Sequence, residues 1–216
     1  MILEQRGSTC GIYALLNGLL VEHELSLEAT TVDEAVAELI RRTSYVGRAN
    51  AGETLVGEFF SCAALANYLN HYQGELATAL NLPTYTVHIV PATQLWTRQD
   101  GFYIVPGIRK RKWYERQRNA ALHWMTAMPD GRVLNSAYAS VQQMTRAELE
   151  TFHGGLDERH FSWPRWRRQN SDCLDDEAVI IPTSREMLAL EQSIEAFTCD
   201  VSFTCGDILY VSNQLD

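Results

Sequence analysis

Apolar residues recur at intervals of three and four along the first third of the chain, and beyond Pro83 they gather into short β-branched and aromatic runs. From Cys10 the positions Ile12, Leu15, Leu16, Leu19 and Leu20 follow the first pattern, which predicts a helix with one buried face. Ser8 and Thr9 stand where an N-cap would stand, so Cys10 falls in the first turn. Thr31 to Arg42 predicts a second helix through Val32, Ala35, Val36, Leu39 and Ile40, with Asp33 and Glu34 favourable near its start. A link punctuated by Gly47, Gly52 and Gly57 leads to a third predicted helix, Phe59 to Tyr72.

Tyr85 to Val90 reads as a strand, and Gly101 to Pro106 as a shorter one. Ala121 to Met128, the turn Pro129-Asp130-Gly131, and Arg132 to Asn135 predict a hairpin. Thr145 to His153 is helical in pattern and closes on Gly154-Gly155. Residues 157–177 are polar and rich in Trp and Arg, an insertion or loop. Ala178 to Ile181 is a buried-type strand, Ser184 to Phe197 a helix, and Val201–Phe203 with Ile208–Val211 a last hairpin around Gly206-Asp207. Helices first and mostly antiparallel strands afterwards predict an α+β fold, an N-terminal helical subdomain packed on an antiparallel sheet.

The 216 residues suffice for one domain with a hydrophobic core, and 46% hydrophobic with 21% charged residues is ordinary for a globular protein. A net charge of −9 argues against general nucleic-acid binding, which needs a basic footprint. The basic run Arg109 to Lys112, continued by Arg116 and Arg118, reads as a solvated edge or as a patch for an acidic partner. No run of apolar residues is long enough to span a membrane, and Met1 to Gly7 lack a signal peptide's apolar core. The cysteines at 10, 62, 173, 199 and 205 lack zinc-finger spacing, so free thiols in a reducing intracellular compartment are expected, with no metal or cofactor.

The segment Gln5-Arg6-Gly7-Ser8-Thr9-Cys10-Gly11 carries the chemistry. A cysteine attacks as thiolate, and the free amides and dipole of a helix start lower its pKa. Gly11 would let a substrate backbone approach, and the Gln5 amide can donate to the oxyanion that the Cys10 amide also faces. A thiol nucleophile needs a histidine brought from far along the chain and held by a third polar group. His123 and Asn135, on the two strands of the predicted hairpin, fit those roles. His23, His71 and His153 lie near helix ends without organised partners, His160 lies in the polar insertion, and His88 reads as a satisfied core histidine. Asp130 belongs to the turn.

In this order the residues resemble the Josephin family of papain-like deubiquitinating cysteine proteases. The Gln5-to-Cys10 spacing with Leu15-Leu16-Asn17-Gly18-Leu19-Leu20 is similar to that family's opening motif, and Gly57-Glu58-Phe59-Phe60-Ser61 to its Gly-Phe-Phe-Ser helix start. His123-Trp124-Met125-Thr126 resembles its His-Trp-Phe-Thr strand, and Leu134-Asn135-Ser136 its Leu-Asn-Ser. Gly11 stands where the family usually has a larger residue. The resemblance implies Gln5 as oxyanion donor, Cys10 as nucleophile, His123 as base and Asn135 as orienting residue. It implies one domain over 1–197, with a helical arm at about 31–72 and the polar insertion at 157–177, and leaves residues 198–216 as a C-terminal extension packed on that domain. It also implies ubiquitin or a ubiquitin-like protein as partner, neither nucleic acid nor membrane, and a cytoplasmic or nuclear setting, or a host cytosol for a secreted effector. The same residues would equally serve a peptidase, a glutamine deamidase or an acyltransferase, since all pass through an acyl-thioester. A non-catalytic binding module would have no need of all four.

Overall fold

Every residue from Cys10 to Leu20 is buried, so the first helix, α1 (Cys10–Glu22), is enclosed on all sides rather than along one face. The computed structural model describes residues 1–43, 54, 57–59, 61–108, 122–153 and 206–213. Helix α2 (Ala29–Thr43) buries Val32, Val36, Leu39 and Ile40, the expected stripe. Helix α3 begins at Cys62 and runs to His71, later than the expected start at Phe59, because Ser61 caps it by accepting from the Ala64 amide at 3.1 Å. A further helix, α4 (Gln73–Leu80), follows directly and ends on Asn81 in the left-handed region.

Strands β1 (Tyr85–Pro91), β2 (Gly101–Ile108), β3 (Leu122–Ala127), β4 (Arg132–Asn135), β5 (Ser140–Gln143) and β6 (Asp207–Asn213) form one antiparallel sheet. Helix α5 (Arg146–His153) lies between β5 and β6 in sequence, and the spatial order is β1-β6-β2-β3-β4-β5. The fold is therefore α+β. The strand expected at Ile208–Val211 is present within residues 207–213, as an inner strand paired with β1 on one side and β2 on the other. The physical reason lies in Ile208-Leu209-Tyr210-Val211: with no polar position, the run suits a strand covered on both faces.

Two cores flank the sheet. On one side Phe102, Ile104, Trp124, Leu209 and Val211 join α1, α2, α3 and α4. On the other Tyr103, Val105, Met125, Ala127, Ile208 and Tyr210 pack with Leu149 and Phe152 of α5. That alternation is the two-residue period of a pleated strand. The basic run 109–118, the insertion 157–177, the elements expected at 178–181, 184–197 and 201–203, His160, and Cys173, Cys199 and Cys205 lie outside the described residues. Cys10 and Cys62 are free thiols.

Candidate active site

The segment that precedes α1 is held at several points. The buried Asn17 accepts from the Leu3 amide at 2.7 Å and donates to the Leu3 carbonyl at 3.0 Å. The Gln5 amide donates to the Ser136 carbonyl at 2.9 Å. The Thr9 hydroxyl donates to the Arg6 carbonyl at 2.5 Å, while Arg6 pairs with Asp33 of α2 at 2.6 Å. The Tyr13 hydroxyl reaches the other oxygen of the same carboxylate. The chain thus enters α1 from a tethered loop, and Cys10 is its first helical residue.

Helix α1 runs alongside β3. The Thr126 hydroxyl donates to the Ala14 carbonyl at 2.5 Å, and the Cys10 thiol lies against the backbone of Trp124, next to His123. Cys10 is only 5% exposed. Burial pushes its thiol up to about 12; the Glu58 charge adds to this, and the backbone amides of Trp124, Gly11 and Cys10 oppose it. The helix-start amides pull in the expected direction, but desolvation by burial outweighs them, so the balance at Cys10 favours the neutral thiol.

Gly11 packs closely against its neighbours. A Cβ there would meet Leu65 Cδ2 at 2.9 Å and the Trp124 ring at 3.5 Å. Gly57, at φ +87°, brings residues 57–59 onto Thr9 in the same manner, and the Phe59 carbonyl accepts from the Trp124 indole at 3.3 Å.

His123 is half-buried, and burial lowers its pKa while the bond to Asn135 partly opposes this. Its Nε2 lies 2.9 Å from Asn135 Oδ1. The same Oδ1 accepts from the Ala137 backbone amide at 3.0 Å, which identifies that atom as oxygen. Nε2 must then be the protonated nitrogen, and Nδ1 of the neutral ring carries the lone pair a base requires. Asn135 is itself the cap of a 3₁₀ turn, Ser136–Tyr138, which holds its side chain at the end of β4.

Gln5 meets the turn as well. Its Oε1 accepts from the Ser136 hydroxyl at 2.7 Å, and its Nε2 donates to the Gly7 carbonyl at 2.8 Å. The structure thus gathers Gln5, Asn135 and His123 around the stretch 135–137. It sets Cys10 on the neighbouring Trp124 backbone, with no hydrogen bond between the thiol and the imidazole. Ser136, Glu58 and the Arg6–Asp33–Tyr13 set were not read as site residues from sequence. Their partners lie far along the chain, as Ser136 does from Gln5, and only the Leu-Asn-Ser motif hinted at one of them.

The remaining expectations divide. Asp130 serves the turn, as expected, accepting from the Arg132 amide at 3.0 Å and pairing with its guanidinium at 2.6 Å. His88 is exposed and bonds Ser212 at 3.2 Å, so it is a surface residue and not a core histidine. His153 and His23 do have partners, the Pro106 carbonyl at 2.8 Å and the Asn213 side chain at 2.9 Å. Among the described residues no group of His, Cys, Asp and Glu could hold a metal ion, and no helix is long and apolar enough to cross a membrane. Compared with known proteins, the chain matches no family model, no curated protein and no solved structure.

Proposed function

We propose that this chain is a papain-like cysteine hydrolase of Josephin-like architecture that releases ubiquitin or a ubiquitin-like modifier through an acyl-thioester on Cys10. The observation that carries the reading is the His123–Asn135 pair, whose closure by the Ala137 amide leaves Nδ1 as the free base. Nδ1 is then free to accept a proton, as a general base requires.

Nδ1 takes the thiol proton, and the sulfur attacks the carbonyl carbon of the modifier's terminal glycine. A C–S bond forms while the carbonyl electrons move to oxygen. The Cys10 backbone N–H and the Gln5 side-chain N–H are suited to that oxyanion. Its collapse breaks the C–N bond, and the imidazolium returns its proton to the departing amine. Water, deprotonated by Nδ1, then splits the thioester and regenerates the thiol. The first proton transfer is uphill while Cys10 is buried, so attack follows substrate-driven rearrangement around the thiol. The choice of ubiquitin over other acyl donors rests on the ordered motifs from Gln5 to Ser136.

A ubiquitin conjugate supplies the test. Release of free ubiquitin, lost in Cys10→Ala and in His123→Ala, is the expected outcome. A folded wild-type chain that releases none, where a control deubiquitinase releases it, contradicts the proposal. A product one dalton heavier on a protein substrate would instead identify a deamidase.

A further inference from the structure

We propose that Ser136 is a positioning residue for catalysis, its hydroxyl fixing which end of the Gln5 side-chain amide is turned toward the loop leading to Cys10. The inference rests on the hydrolase reading and deepens it.

An amide side chain has two ends of nearly equal shape and opposite hydrogen-bonding sense, and its last torsion has a broad two-fold preference. Only the N–H₂ end can bond a carbonyl, so the contact with Gly7 O at 2.8 Å assigns Nε2. The other end is then Oε1, and the Ser136 hydroxyl at 2.7 Å must be the donor. Ser136 is 1% exposed, so water has little access to take its place. A second rung, Gln5 N–H to Ser136 O at 2.9 Å, holds the two residues side by side.

Oxyanion stabilisation needs an N–H in place before charge develops. A flipped Gln5 would present its carbonyl oxygen and repel that charge. Asn135, the preceding residue, keys the His123 tautomer. One tight stretch, 135–137, therefore orients both polar helpers, though Gln5 and His123 lie far apart in the sequence.

The test compares wild type with Ser136→Ala on ubiquitin carrying a C-terminal coumarin amide, and follows alkylation of Cys10 by iodoacetamide, mapped by peptide mass. Alkylation at a saturated carbon forms no oxyanion. The expected result is a fall in kcat of about five- to tenfold, between loss of one hydrogen bond and loss of the whole donor. KM and the alkylation rate stay within about twofold, and in a Gln5→Ala background Ser136→Ala costs less than about twofold. Ser136→Cys, close in volume and a weaker donor, gives the same reading if the alanine variant does not fold. An unchanged kcat, alkylation that falls in step with it, or an undiminished loss in the Gln5→Ala background overturns the proposal. A wild-type chain that leaves the coumarin amide intact overturns the hydrolase reading itself.

Discussion

At Cys10 two effects compete, and their balance sets the reactivity of the free protein. The amides at the start of α1 favour thiolate, yet burial and the Glu58 charge hold the thiol up to about 12. Iodoacetamide should therefore alkylate Cys10 slowly at neutral pH, with a rate still climbing above pH 9. A plateau reached in the acid range would instead reveal a preformed thiolate–imidazolium pair. Glu58→Gln should raise that rate by about threefold, because its charge ranks behind burial as a cause. The same shifts link to stability. Cys10 and Cys62 both have folded values of about 12 against an ordinary 9.0, so their contribution is complete below pH 9 and is lost as pH rises toward 12. Melting curves should show this loss, reduced in Cys10→Ala. His123, lowered from 6.5, acts on the other limb: its contribution is present above that value and is lost as pH falls toward its folded value. Under the proposed oxyanion role of Gln5, Gln5→Ala should cost about 10²- to 10³-fold in kcat.

The helices and strands nearest the site were largely legible in the sequence, because their apolar spacing and caps are local signals. Helix α1, α2, β1, β3 and β4 fall close to their expected positions. What escaped was set by neighbours. The start of α3 moved because Phe59 is buried and offers its carbonyl to Trp124. Strand β5 gave no alternation to read, since Val141, Gln142 and Gln143 are all exposed. The two glycines of α1 separate in the same way. A Cβ at Gly18 would stand 2.2 Å from the ring of Phe102, which is itself fully buried. Gly18→Ala should destabilise the fold by about 2 kcal/mol in urea titration, overpacking exceeding the gain in helix propensity. At Gly11 the obstacle is the branched end of the Leu65 side chain rather than a rigid ring, so Gly11→Ala should lie within about 1 kcal/mol of wild type.

Across the whole molecule, chain order and spatial order part company at β6. The strand at 207–213 closes the sheet between β1 and β2, and its Leu209 and Val211 enter the helical core. A chain ending before Gly206 should show no cooperative unfolding transition, whereas a mere appendage could be removed without loss. No local pattern foretold this placement, because strand order depends on pairings between residues far apart in sequence. The site was legible to the same limit. Gln5, Cys10, His123 and Asn135 could be chosen by residue type and order, but not the turn at Ser136 that joins Gln5 to Asn135. Nor did sequence show that Cys10 is buried, with its thiol pKa pushed up by desolvation. The most direct measurement is mass mapping after reaction with ubiquitin bearing a C-terminal electrophile. The predicted result is one ubiquitin adduct on Cys10, absent in Cys10→Ala and slowed in His123→Ala; no adduct, or an adduct on another cysteine, would contradict it.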